Sequence, residues 1–473
     1  MSMQFSDELV YSKSVSAHGN YKYLRITPIG SSAQNPTLST TSTTMTQFEL
    51  PNNVVNLSKC KLCFDINLLS NGVGARFQNL HANGLSLIDR ITLTSRSETI
   101  LADIPNCRIF GNLVSATNTK LSDLMSRTPC YNTLLPSGAA SDGTGAANLT
   151  STATARALSA LYPVGDIVRC NGIINTQLSS GTGAGFATIT QLPYTPTTEP
   201  LYVYTGVTST ACATQSYQIN LSAFQDTLME LNKNLYFGDN LVLTINWNSA
   251  TKFSFLSAAL LATAFAATAQ TVAPIISNLF LYTACETDPT IISQLVANVN
   301  SGEFSIITPF VYCQKYGAGA STQSSMQQRL NSSYGSTLLR TYFGVFNDTE
   351  TEATAYSHSD AYITSYNTYM DGLRLQDFTL QPSDGTHWLY NERNFINSCI
   401  QSQQQYKANF IHIDNWCGAS LCENDDSVLN GLSLDSDRTW SVQVTTPSAA
   451  LKYYLFFTTQ KRLVISKGVL SIV

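Results

Sequence analysis

The sequence predicts an all-β molecule made of two tandem copies of one domain. Three observations carry that expectation. Strand-like blocks occur twice in the same order, the best of them alternate apolar with polar residues, and the chain is rich in the aromatic and β-branched residues that pack on sheets. The plainest pair is Gly84–Leu93 (GLSLIDRITL) against Gly372–Leu380 (GLRLQDFTL), each with the alternation of a half-buried strand.

The flanks repeat in register. Ser58–Asn67 (SKCKLCFDIN) precedes the first copy and Ser336–Asn347 (STLLRTYFGVFN) the second, both apolar runs of strand character. A helix-period pattern follows each GLxLxD block. Phe110, Leu113, Val114, Leu121, Leu124 and Met125 share one face, as do Trp388, Phe395, Ile396, Cys399 and Ile400. Ile219–Phe224 then matches Ile411–Trp416, and a capping-box signature trails each, Ser222 with Gln225 and Ser420 with Glu423. Gly238–Trp247 matches Asp437–Thr446, and Leu279–Glu286 matches Leu455–Arg462. Each copy runs well past the ~20–50 residues of a solenoid repeat, so two large domains are expected.

A chain of 473 residues that is 43% hydrophobic can bury a sizeable core, which excludes disorder as its main state. Only 12% of residues are charged, about half the ordinary ~25%. Ser, Thr, Asn and Gln supply the polarity instead, which suits a surface largely covered by neighbours. The net charge is −5 and no basic cluster occurs; Met1–Gln47 carries only Lys13, Lys22 and Arg25. Phosphate neutralisation needs a basic stripe, so direct nucleic-acid binding is not expected. The 11 cysteines are odd in number and lack a framework spacing. With no signal peptide at Met1–Val10 they read as free thiols in a reducing interior, and the glycosylation-type matches at Asn56, Asn331 and Asn347 as chance. Phe255–Ala267 is too short and too rich in Ala and Thr to span a bilayer.

In order, Met1–Gln47 reads as a Ser/Thr-rich arm with one strand-like piece, Tyr21–Ile26. From Thr128 to Gln215 the chain turns rich in Gly, Ala, Ser and Thr, with short strands expected at Phe186–Leu192 and Tyr202–Tyr204. Between Gly84 and Ile219 the first copy is roughly 96 residues longer than the second between Gly372 and Ile411, an insertion that a surface loop tolerates because closure entropy grows only logarithmically. Ala250–Val272 is a second, smaller insertion. Asp288 as N-cap, Pro289 at the first helical position and Gly302 beyond the end frame a short helix that joins the halves. The second copy opens with Phe304–Tyr312 and runs to Ile465, ending in a short tail.

No constellation asks for catalysis. Cys60-x-x-Cys63 sits in a strand pattern, where residues three apart face opposite sides, so one ion cannot easily meet both thiols. His412, Cys417 and Cys422, with Asp414 between them, lack zinc spacing. Asn424, Asp425, Asp426, Asp435 and Asp437 flank a loop without an EF-hand pattern. Gly181, Gly183 and Gly185 lack the βαβ context of a dinucleotide site, and His18, His81, His358 and His387 belong to no metalloprotease motif. Catalytic, cofactor-binding and metal-binding residues are accordingly expected to be none.

Four stretches carry a resemblance: FELPNNVVNLSKCKLCF at Phe48–Phe64, ILADIP at Ile100–Pro105, LFLYTACETDPTIISQL at Leu279–Leu295, and ALKYYLFFTTQKRLVIS at Ala450–Ser466. With the duplication, they make roughly Phe48–Ile465 similar to the double jelly-roll major capsid proteins. That lineage covers tailless membrane-containing phages, adenoviruses, virophages, polinton-like viruses and large icosahedral DNA viruses. The polinton-like and virophage branch is the nearest. The resemblance implies two tandem antiparallel eight-stranded jelly rolls with long loop insertions and a few short helices. It places an arm at 1–47, the first roll at 48–287 with its insertion at about 128–215, a helical linker at 288–302, and the second roll at 303–473 with a short C-terminal tail.

It further implies a structural protein of the virion capsid, not an enzyme and without cofactors, assembled inside the host cell. Homotrimers would form pseudo-hexagonal capsomers that tile an icosahedral double-stranded DNA shell. Its partners would be other copies, penton and minor capsid proteins and, through the arm, an internal membrane; an uncharged arm leaves nucleic acid to other proteins. One alternative is a carbohydrate-binding or carbohydrate-active β-sandwich protein, which predicts a secretion signal, paired cysteines and, for an enzyme, two acids at catalytic spacing, with Asp360, Asp371 and Asp377 to be tested by geometry. Another is a minor capsid or penton protein, which more often carries a single roll.

Overall fold

The computed structural model describes residues 20–30, 35–39, 42–69, 77–80, 84–118, 211–249, 254–257, 275–317, 322–347, 363–392, 412–415, 431–446, 451–466 and 469–472. Its first half contributes β1 (Tyr21–Ile26), β2 (Thr44–Leu50), β3 (Lys61–Leu69), β4 (Phe77–Leu80) and β5 (Ile88–Ser95). Then come β6 (Ile100–Ile104), helix α1 (Cys107–Asn118), β7 (Ala211–Asn220), β8 (Leu241–Trp247), β9 (Ser254–Ser257) and β10 (Ile275–Glu286). Antiparallel pairing gathers eight of these strands into sheets of order β1-β10-β3-β7 and β2-β8-β5-β6, while β4 and β9 pair separately.

Helix α2 (Pro289–Ser301) leads into β11 (Glu303–Gly317), β12 (Gln323–Leu330), β13 (Thr337–Asn347), β14 (Ser365–Met370) and β15 (Leu373–Arg374). After α3 (Thr386–Asn391) follow β16 (His412–Asn415), β17 (Leu432–Ser433), β18 (Arg438–Thr445), β19 (Leu451–Ser466) and β20 (Val469–Ile472). The sheets run β11-β19-β13-β16, with β17 on β13 and β20 on β19, and β12-β18-β14-β15. Strand for strand the second pair of orders repeats the first. Each half is an eight-stranded jelly roll, and the fold expectation is met.

The strands form where the pattern places them because one face of each sheet is apolar. In β8, Leu241, Leu243, Ile245 and Trp247 are buried and the residues between them half-buried. Trp247 meets Phe64 of the opposite sheet edge-on at 5.1 Å and donates its indole N–H to Thr46 Oγ1 at 2.9 Å. β18, the counterpart of β8, buries Trp440, Val442 and Val444 in the same way. β19 departs from alternation: every residue from Tyr453 to Gln460 is buried, so both of its faces are covered. The buried apolar residues of the two rolls form one continuous cluster.

Four expectations need correction. Tyr21–Ile26, assigned to the arm 1–47, is β1 and pairs with β10 along its whole length, and β2 starts at Thr44; the expected arm therefore supplies sheet strands. Gly84–Leu87 is a 3-10 turn leading into β5, whereas Gly372–Leu380 lies at β15 and the turn after it; by position in the strand order, the counterpart of β5 in the second roll is β14. A similar alternation in both blocks hid a one-strand offset, because periodicity does not record which strand the backbone bonds. Ser222 caps nothing: the turn at Leu221–Ala223 has no side-chain cap, and Thr227 caps the next turn, Leu228–Glu230, accepting from Met229 N–H at 3.2 Å. The C-terminal tail is strand β20, whose Leu470 is buried.

The helix at Pro289 forms as expected, with the Asp288 carboxylate accepting from Thr290 N–H at 2.8 Å. Phe110 and Val114 are buried on α1. Leu121, Leu124, Met125, Phe395, Ile396, Cys399, Ile400, most of the Thr128–Gln215 and Ala250–Val272 insertions, and Ser420 with Glu423 lie outside the described residues.

Trp247→Ala is expected to lower stability by about 3–5 kcal/mol, through a cavity under both sheets of the first roll. Denaturant unfolding followed by circular dichroism measures it; a change under about 1 kcal/mol would contradict the packing described.

Candidate functional site at the seam between the rolls

One face of β19 and β13 belongs to the second roll's own core. The other receives the first roll. Asp226, 2% exposed, sits in a left-handed conformation (φ 56°) that aspartate tolerates better than most residues. Its carboxylate pairs with the Arg340 guanidinium and accepts hydroxyl hydrogen bonds from Tyr342 at 3.0 Å and Thr458 at 3.1 Å. The Asp226 N–H in turn donates to Glu230 Oε2 at 2.9 Å, within the turn that Thr227 caps. Burial, then the Asp226 charge, raises the Tyr342 phenol well above its ordinary range, so it remains a hydrogen-bond donor.

Beside this polar knot lies an apolar one. Asn106, also left-handed (φ 51°), precedes α1 and donates its amide to Cys313 Sγ at 3.4 Å. One turn into the helix, Phe110 packs 5.6 Å from Tyr342 and 5.2 Å from Phe456, ring centre to ring centre. Farther along, Thr99 Oγ1 donates to the Leu470 carbonyl of β20 at 3.2 Å. The seam thus combines aromatic packing with a buried, hydrogen-bonded ion pair.

A second polar cluster closes the end of the first roll. The Glu286 carboxylate, 5% exposed, accepts from the backbone N–H of Asn20 at 3.1 Å and Asp288 at 3.0 Å, and from the Asn234 amide at 2.7 Å. Asn234 Oδ1 accepts from the Tyr21 hydroxyl at 2.8 Å. A groove of about 420 Å³ opens beside it, lined by Lys22, Asn53, Cys285 and Ile292 among others. Burial raises the Cys285 thiol, which makes it a poor nucleophile.

The residues singled out from sequence are dispersed. Cys60 precedes β3 rather than lying within it; its thiol contacts the Asn56 carbonyl at 3.3 Å and the Ala284 N–H at 3.4 Å. Cys63 is buried on β3 and both thiols are free. Asn56 is 1% exposed with its amide donating to Asn232 Oδ1 at 3.0 Å. His387 is buried in α3, its Nδ1 3.2 Å from the Gln381 carbonyl. Asp371 pairs with Arg438 at 2.8 Å, Asp435 accepts from the Ser433 hydroxyl at 2.8 Å, and Asp437 pairs with Arg329. Cys417, Cys422, Asn424, Asp425, Asp426, Gly181, Gly183, Gly185, His18, His81, His358 and Asp360 lie outside the described residues, as do the side chains of His412 and Asp414. The sequence reading missed Asp226 and Arg340. One signal was present: Arg340 is a lone charge inside the apolar run from Leu338 to Val345.

Two outcomes follow from this geometry. Asp226→Asn removes the carboxylate that Arg340 pairs with in the seam and should cost about 3–5 kcal/mol, part of which Asp226→Asn with Arg340→Gln restores; a single-variant loss under about 0.5 kcal/mol would contradict the pair's role. Burial pushes the Cys60 and Cys313 thiols up to about 12 and Cys63 to about 11, from an ordinary 9.0. As pH rises, the unfolded chain loses these protons first. Their contribution to stability is therefore whole below about pH 9 and declines from there toward about pH 12. A disulfide reagent at about pH 8 should label these thiols only after denaturation, and prompt labelling of Cys60 in the folded protein would contradict its burial.

No protein-family model matches the chain, and no curated protein matches it in sequence. Solved structures do. The mavirus major capsid protein aligns with a TM-score of 0.52 at 10% identity, over 98% of this chain and 93% of its own. The PBCV-1 virus capsid structure gives 0.53 at 8% identity, over 96% and 97%. The Sputnik virophage structure gives 0.51 at 11% identity, over 97% and 89%. Likeness at such identities speaks for architecture, and it agrees with the strand orders found independently. The chain has the double jelly-roll fold that these capsid proteins share.

Proposed function

We propose that this chain is a major capsid protein, a structural component of an icosahedral double-stranded DNA virus shell and not an enzyme. The observation that carries the reading is the repetition of one strand order in two rolls joined at a packed seam, in a fold matched along nearly the whole chain by capsid proteins. Two like rolls per chain give a trimer six similar faces. One gene product can then occupy hexagonal positions of a flat facet. Closed jelly rolls expose few free strand edges, which limits association to designed faces.

In this reading copies of the chain associate first into capsomers and then with each other, with penton and minor capsid proteins as further partners. The segment before β1 reaches neighbours or an internal membrane, and the insertion at about 128–215 rises as an outer tower. Low charge and the lack of a basic cluster in the sequence fit a shell protein that leaves the genome to others.

Light scattering on the purified chain, with negative-stain imaging of the same peak, tests the reading. The expected outcome is a stable three-chain particle of pseudo-hexagonal outline; a chain that stays monomeric at high concentration would overturn it.

A further inference from the structure

The seam inside one chain is heterologous. The α1 and β6 side of the first roll meets the outer face of β11, β19 and β13 in the second. Because both rolls share one strand order, each half of the seam has a counterpart that the chain itself does not use. Strand register fixes the correspondence on the sheets. Phe280 lies opposite Cys63 and Tyr282 opposite Lys61, as Phe456 lies opposite Tyr342 and Thr458 opposite Arg340. A left-handed residue fixes it on the helices: Asn106 (φ 51°) immediately precedes α1 and Gly385 (φ 79°) immediately precedes α3. Four residues on from each stand Phe110 and Leu389. Phe110 is buried against Phe456, whereas Leu389 is 65% exposed.

Three of the other exposed large apolar side chains among the described residues fall on the same two surfaces, while Ile29, Met45, Ile100 and Val469 stand on different elements. Leu373, on β15 (the counterpart of β6), is 74% exposed, and Phe378 in the turn that follows is 43% exposed. Tyr23, on β1 (the counterpart of β11), is 47% exposed. Isolated exposed leucines are ordinary, but large ones gathered on two matching faces mark contacts. The charges are complementary as well. On the sheet face Arg25 lies 4.3 Å over the Phe280 ring and Lys61 5.9 Å over that of Tyr23. On the helix side Asp377, Asp384 and Glu392 are exposed, and among the described residues Arg374 is the cation that lies near them in the chain.

We infer that in the assembled protein the α3–β15 side of one copy docks on the outer face of β1, β10 and β3 in the next, seating Leu389 on Phe280 as Phe110 is seated on Phe456. The inference rests on the capsid reading and deepens it by naming the contact between copies. It is head-to-tail, so each copy offers two different faces and a closed ring satisfies them all.

Leu389→Asp and Tyr23→Asp, each in the full chain, test it. Both positions are exposed, so each variant should fold and keep the wild-type circular dichroism spectrum. Each variant alone is expected to fall to single-chain mass in light scattering. Their equimolar mixture should give a two-chain species, since one variant retains an intact sheet face and the other an intact helix side. An oligomeric wild type whose variants keep its mass, or variants that remain single when mixed, would overturn the contact alone. A wild type that is itself a single chain would overturn the capsid reading and this contact together.

Discussion

A β-strand can be buried on both faces only when a second layer covers the side its own core does not use. β19 meets that condition from Tyr453 to Gln460, and the arrangement of the two rolls follows from it. The first roll supplies the cover, through Phe110 of α1 and the turn that carries Asp226. Without the cover, a wide aromatic strip on β13 and β19 would face water. Each roll is thus a complete sandwich by pairing, but the second has a hydrophobic exterior that only the first satisfies.

Aromatic packing supplies adhesion at this seam and the Asp226–Arg340 pair supplies direction. Buried ion pairs contribute little net stability beside well-packed apolar residues, because desolvation offsets most of the attraction. They do penalise any arrangement that separates the partners. Tyr342 and Thr458 fill the remaining acceptor sites on the carboxylate, so a shift of one roll along the other would leave several polar groups unmet. The left-handed Asp226 puts its side chain there by turning the chain sharply after β7. At the opposite end of the first roll, Glu286 binds the start of β1 and the start of α2 together, which anchors the connection between the rolls.

Much of the fold was legible in the residues. Alternation located β8 and β18, the duplicated blocks matched β3 to β13 and β10 to β19, and the Asp288–Pro289 pair marked where α2 begins. These features depend on local pattern, which the chain carries along its length. The offset at Gly372 and the place of Tyr21–Ile26 were not legible, since both depend on which strand accepts the hydrogen bonds. A strand without its partners looks the same in an arm as in a sheet.

By itself the sequence determined the class of the protein, its duplication, its poor charge and the connecting helix, because composition and periodicity are properties of the chain. Only the tertiary structure decided that Arg340 meets Asp226, that Phe110 covers Phe456, and that Leu389 and Tyr23 stand exposed in the matching places. Asp226 and Arg340 are 114 positions apart, and nothing local links them. Such contacts form when two completed sheets meet, and the energy that selects them resides in surfaces that exist only after each roll has folded.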